Sequence, residues 1–180
     1  MKWTKAVVFM GAIALIFFSC KRNPLKVNIS DIEKEVEVVR FGEQLFNLEG
    51  KDTLETLTEL SNAYPDFFNL YTYRVIQVGG IGDDDFPAMI SLFLNDSLIK
   101  DVKLKTDSVF PNLKKLEKGL TKAFKYYSYH FPEKELPTIY TYISGFNQSV
   151  VTAENSIGIS LDKYLGRDCK YYEQLQTTPQ

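Results

Sequence analysis

The sequence predicts an α+β domain, a helical N-terminal part packed on a small antiparallel sheet at about residues 137–161. Two patterns predict it. Up to about residue 130 apolar side chains recur three or four apart, the spacing of one helix face; after Pro132 they alternate, the spacing of a strand. Size agrees, since 180 residues that are 44% apolar and 14% aromatic suffice for one buried core and are too apolar for disorder.

The first 20 residues stand apart from that domain. A basic start, Met-Lys-Trp-Thr-Lys, leads into an unbroken apolar run from Ala6 to Phe18 and then Ser19-Cys20. This is the layout of a secretory signal, and the run is shorter than the roughly 20 residues that span a bilayer. Cys20, directly after the small Ser19 and with bulky Phe17 upstream, resembles the bacterial lipobox, in which the thiol is diacylated and cleavage leaves that Cys as the first residue. An ordinary cleaved signal or an uncleaved anchor are the alternatives. The expected organisation is a lipoprotein signal peptide at 1–19, the lipidated Cys20 and a polar tether at 20–31, and a single domain at 32–180. Two or three acyl chains exceed what one chain anchors, each buried methylene contributing about 0.8 kcal/mol.

Within the domain, residues 36–41 are β-branched enough for a strand or an extended lead-in, and Gly42 to Leu48 suits a short helix. Asp52 and Glu55 form a capping-box pattern ahead of Leu54, Leu57, Leu60 and Tyr64, one apolar helix face. Pro65 stops that helix and opens the next, which carries Phe67, Phe68, Leu70, Tyr71 and Val75. Gly79-Gly80-Ile81-Gly82 breaks the chain, and Asp83 to Asp85 precede Phe86-Pro87 as acidic residues suited to a helix start. A helix is expected over 88–94 and a short one over 97–104. Pro111 opens the longest, with Leu113, Leu116, Leu120, Phe124 and Tyr127 on one side and Lys114, Lys115, Lys118, Lys122 and Lys125 on the other. Strands follow at 138–143, 148–152 and 157–161, read as a meander with helices on one face, and Asp162 to Leu165 begin a helix that Gly166 ends.

Chemistry-bearing patterns are sparse. The glycine loop lacks the Lys-Ser/Thr ending of a phosphate loop, and the three Asp do not alternate as a calcium loop requires. One His, His130, and one cysteine besides Cys20, Cys169, do not make a zinc site, so no metal and no cofactor are expected. His130 reads as a cap or packing residue and Cys169 as a small half-buried thiol. Ser144-Gly145-Phe146 is not a nucleophile turn, because Tyr142 and Phe146 stand where Gly-x-Ser-x-Gly needs glycine. Pairs such as Glu133/Glu135 and Glu154/Asp162 are unremarkable in a chain with 23 acids. No catalytic residue is assigned. With a net charge of −2 and lysines interleaved with acids, a nucleic-acid partner is not expected.

The lipobox together with Val151-Thr152-Ala153-Glu154-Asn155-Ser156-Ile157-Gly158-Ile159-Ser160-Leu161-Asp162-Lys163-Tyr164-Leu165-Gly166 resembles the gliding motility lipoprotein GldB family of Bacteroidetes. Ile143-Ser144-Gly145-Phe146-Asn147 is similar to what that family carries just ahead of the same segment. The resemblance marks Ser144, Gly145, Phe146, Asn147, Gly158, Asp162, Tyr164 and Gly166 as the family-like positions. It implies a non-enzymatic envelope protein, held to the membrane by lipid on Cys20, whose partners are other cell-envelope or gliding-machinery proteins and the associated secretion machinery. Family members are longer, with a helical C-terminal half, so the domain is expected to be incomplete relative to them. The helices-then-strands order is also similar to zincin-like peptidases, here without a metal helix; a degenerate or truncated metallopeptidase domain is therefore one alternative. A periplasmic glycan-binding module built on the tyrosine clusters, Tyr140 and Tyr142 among them, is another. The acidic run after the cysteine that directs surface export in Bacteroidetes is missing, since Lys21-Arg22-Asn23 follow Cys20, so the anchor is expected to face the periplasm.

Overall fold

The computed structural model describes residues 27–48 and 53–175. The signal, the lipid-attachment residues Ser19 and Cys20, and the expected cap Asp52 lie outside the described residues. The elements in chain order are β1 (Val38–Val39), α1 (Phe41–Phe46), α2 (Thr53–Ala63), α3 (Pro65–Asn69) running into a π-helical turn (Leu70–Val75), α4 (Phe86–Asn95), α5 (Ser97–Val109), α6 (Lys114–His130), β2 (Thr138–Tyr142), β3 (Val150–Ala153), β4 (Ser156–Ser160), a 3₁₀ turn (Leu161–Tyr164) and α7 (Lys170–Leu175).

The α+β class holds, but the sheet is mixed rather than antiparallel. Its order is β1-β2-β4-β3, with β2 parallel to both β1 and β4 and only β3 and β4 antiparallel. Link length explains why a meander does not form. Two residues, Glu154 and Asn155, separate Ala153 from its partner Ser156, so β3 and β4 must pair as a hairpin. The link 143–149 is long enough to pass over one strand position, roughly 10 Å for two inter-strand spacings, and delivers β3 to the far side of β4. Nothing in this order singles out a zincin-like arrangement.

Helices cover both sheet faces, not one. On one side Tyr140 and Tyr142 join Phe41, Phe67, Phe68, Tyr71, Val75, Phe86 and Ile90 in the largest core cluster. Phe67 stacks on Tyr140 at 4.0 Å, and Phe41 meets Phe67 and Tyr71 edge-on at 5.0 and 5.2 Å, the arrangement that aromatic quadrupoles favour. On the other side Val38, Ile139, Leu113 and Leu161 form a cluster against which Leu116, Leu120 and Phe124 of α6 pack. Covered on both faces, β2 is buried at Ile139, Tyr140, Thr141 and Tyr142, as an inner parallel strand must be. Burial of Tyr140 and Tyr142 removes them from any glycan-stacking surface.

Several boundaries shift for identifiable reasons. α5 continues to Val109 because Ile99, Val102 and Thr106 form one buried stripe; polar Thr106 hides the period in the sequence, and its hydroxyl donates to the Val102 carbonyl at 2.8 Å. α6 begins at Lys114, whose N–H donates to Asn112 Oδ1 at 3.3 Å, with Pro111 in the turn before it. Of the three aspartates, Asp85 makes no side-chain cap. Asp83 instead ties the glycine loop, accepting from the Gly80 N–H at 2.8 Å and the Tyr73 hydroxyl at 2.9 Å. The lead-in is held to α6 by the Val36 N–H, which donates to Thr121 Oγ1 at 3.1 Å. His130 is exposed at the end of α6, edge-on to Tyr129. Cys169 is fully rather than half buried, packed with Val102, Ile143 and Phe146.

Candidate functional site

The family-like residues converge where the chain leaves β2 and where it leaves β4. Parallel pairing puts Tyr142 opposite Ser160, so both strands end at the same edge of the sheet. The link after β2 therefore passes directly over the residues that follow β4. Asp162, in the 3₁₀ turn, is completely buried at this crossing, as are Ser144 and Ser160. A carboxylate so placed needs donors on every lone pair.

The link supplies them. Asp162 Oδ2 accepts from the Phe146 N–H at 2.7 Å and the Ser144 N–H at 3.2 Å. The Ser160 hydroxyl donates to Oδ1 in a short contact, and Ser144 Oγ lies 2.8 Å from Ser160 Oγ and 3.3 Å from Asp162 Oδ2. Backbone N–H groups can converge on one carboxylate oxygen only if the chain curls around it, and two successive left-handed residues produce the curl: Gly145 at φ 65° and Phe146 at φ 67°. Glycine adopts this region freely, but phenylalanine does so at a cost of about 1–3 kcal/mol. Its amide bond to Asp162 offsets that cost, as does its ring, packed against Tyr171 and Tyr172 at 6.1 and 5.8 Å.

Further bonds lock the crossing from outside. Lys163 Nζ donates to the Phe146 carbonyl at 3.0 Å. The Tyr172 hydroxyl donates to the Asp162 carbonyl at 2.7 Å and accepts from the Leu165 N–H at 2.8 Å. Asn147 Nδ2 donates to the Val75 carbonyl at 3.2 Å, and the Tyr71 hydroxyl donates to the Ile143 carbonyl at 2.8 Å, so the π-helical turn grips the same link. Burial, then the nearby Asp162 charge, holds the Tyr71 hydroxyl well above its usual range. Burial and the same carboxylate also raise Tyr142, whose hydroxyl is buried with no hydrogen-bond partner among the described residues. Because an orphaned buried hydroxyl keeps its desolvation penalty without a bond in return, Tyr142→Phe is expected to leave stability unchanged or to raise it by about 1 kcal/mol. Urea unfolding of the two proteins checks this; a loss above about 1 kcal/mol would show that the hydroxyl has a partner.

Chemically the cluster is a carboxylate saturated by amides and hydroxyls, closed to solvent, with no imidazole against either serine. It organises a chain crossing and leaves no open face on which a substrate atom could meet Ser144. Of the resemblance-marked residues, Ser144, Gly145, Phe146, Asn147 and Asp162 come together here. Gly158 lies on the same face of β4 as Ser160, two residues before it, against Phe67 and Tyr142. Tyr164 is half exposed at the end of the 3₁₀ turn, and Gly166, at φ 101°, turns the chain toward α7. Glu154 sits at the hairpin tip, at the opposite end of β4 from Asp162, so these two acids do not form a pair. Among the described residues no three His, Cys, Asp or Glu gather as a metal would need, and no helix is long and apolar enough to cross a membrane. Sequence reading missed Ser160, Lys163 and Tyr172; the Ser-Leu-Asp step at a strand end is the only local signal of the first.

Compared with known proteins, the chain matches the family model described as Gliding motility protein GldB over residues 22–179. No curated protein and no solved structure matches it. The match includes the whole crossing and both strands that form it, and the chain belongs to the gliding motility protein GldB family.

Proposed function

We propose that the chain is a lipid-anchored envelope protein that takes part in gliding motility by binding other proteins of the machinery, not by turning over a substrate. The observation that carries this reading is the family match over residues 22–179. Two features support it. Ser19-Cys20 follows an export signal and resembles a lipid-attachment site. The most polar buried cluster, Asp162 with Ser144 and Ser160, spends its hydrogen-bonding capacity on the chain's own backbone and hydroxyls. The anchor faces the periplasm in this reading, and the folded domain presents surfaces to neighbouring envelope proteins.

Cys20→Ala is the test. The variant is expected to accumulate as an unprocessed, unlipidated precursor, to lose its acyl chains by mass spectrometry, and to support less colony spreading than the parent. Identical mass, membrane fractionation and spreading for parent and variant would overturn the anchored reading.

A further inference from the structure

The sheet face turned toward α6 is not fully covered. Between α6 and the β3 side of the sheet a groove of about 740 Å³ stays open, with Leu116 and Leu120 on one wall and Val150, Ile159, Leu161 and Tyr164 opposite. Val150 is 49% and Tyr164 51% exposed, a large apolar exposure for two residues on one groove wall.

Gly119 lines the groove from the middle of α6. A helix-interior glycine costs about 1 kcal/mol relative to alanine, and here the domain's own packing does not call for it: a Cβ added at Gly119 would meet nothing within 4 Å. The missing side chain leaves the groove open instead. β3 is also an edge strand. The Ser160 N–H donates to the Ser149 carbonyl at 3.0 Å, and the hydrogen-bonded positions of an antiparallel pair alternate from there. The N–H and C=O groups of Val150 and Thr152 therefore point away from β4, and none of them has a backbone partner among the described residues.

Charge identifies the visitor. Lys115 lines the groove, and Lys122, Lys118, Lys125 and Lys114 follow it round α6 within about 100° of arc, toward the side away from Leu116 and Leu120. None of the five forms an ion pair among the described residues. We infer that the groove takes an extended segment of a partner protein, added beside β3 as a fifth strand, with alternate apolar side chains in the groove and flanking carboxylates on the α6 lysines. Strand addition of this kind draws affinity from main-chain bonds and specificity from pockets for alternate side chains. The inference rests on the reading of the chain as an interaction protein and names the chemistry of its partner.

Two labelled peptides test it by fluorescence anisotropy with the full chain in detergent: Glu-Glu-Val-Thr-Val-Thr-Val-Glu-Glu and the same peptide with lysine for every glutamate. The acidic peptide is expected to bind at least tenfold more tightly. Gly119→Leu, which fills the groove, should weaken it at least tenfold with no fall in the thermal midpoint, and Lys115→Glu with Lys118→Glu should reverse the preference. Failure of the acidic peptide to bind, equal binding of the two peptides, or indifference to Gly119→Leu overturns the inference. So does a dimer in sedimentation that Gly119→Leu abolishes, because the occupant is then a second copy of this chain. If Cys20→Ala releases the protein while Gly119→Leu leaves peptide binding intact, the groove fails and the anchored reading stands; the converse pattern separates them the other way.

Discussion

Asp162→Ala is expected to destabilise the domain by about 3–5 kcal/mol, because it strands the Phe146 and Ser144 amides in a buried crossing with no acceptor and removes the short bond that the Ser160 hydroxyl makes. The loss goes beyond three hydrogen bonds. Phe146 holds a left-handed backbone only while its amide is engaged, so the link from β2 to β3 should loosen as a unit and take the β3–β4 hairpin with it. For a domain of this size the thermal midpoint should drop by about 10 °C or more. Asp162→Asn is the informative companion. Its carboxamide oxygen can take the place of Oδ2 and receive both amides, while its NH₂ faces a Ser160 hydroxyl that is free to turn and accept. It should cost well under half as much. Equal losses from the two variants in thermal and urea unfolding would show that charge, not acceptor geometry, holds the crossing.

Gly158→Val should be nearly as damaging through a different cause. A Cβ at this position of β4 would stand 2.6 Å from Phe67 Cε2 and 2.8 Å from Tyr142 Cε1. Neither ring is able to retreat: Phe67 is stacked on Tyr140 and edge-on to Phe41, and Tyr142 is edge-on to Tyr71 at 5.5 Å. Overpacking so confined a site costs about 3 kcal/mol, and a branched residue leaves no rotamer that avoids both rings. Circular dichroism in the near ultraviolet should change along with stability, since the displaced rings are the chromophores. A variant with parental stability would mean that the aromatic layer is softer than its stacking implies. Gly42 has a similar role where α1 crosses β2, its missing Cβ standing 2.9 Å from Tyr142 Cα.

The sites of these two variants differ in how much of them the sequence disclosed. Gly158 falls in an alternating run, Ile157-Gly158-Ile159, which identifies a strand but not a neighbour. The rings that demand glycine come from α3 and β2, some 90 and 16 residues earlier. Asp162 reads as an ordinary acidic residue at a helix start, and its marking came only through the resemblance. Its donors at 144, 146 and 160 are invisible as a set until parallel pairing brings the ends of β2 and β4 together. Thr106 shows the opposite failure, a polar side chain inside a buried stripe that hides the last five residues of the helix from a reading based on apolar period.

What the amino-acid order determined by itself was the local character of each stretch: helices at α2, α3, α4 and α6, extended chain at β1 to β4, the breaks at Pro65 and the glycine loop, and the kinship with the GldB family. These follow from the spacing of side chains along a few turns or a few residues, a property carried within each segment. The order β1-β2-β4-β3, the helices on both faces, the buried carboxylate and the groove beside Gly119 were decided only in three dimensions. Strand pairing depends on how far a link can reach and which face must be covered, and a polar group is tolerated inside only where distant backbone happens to meet it.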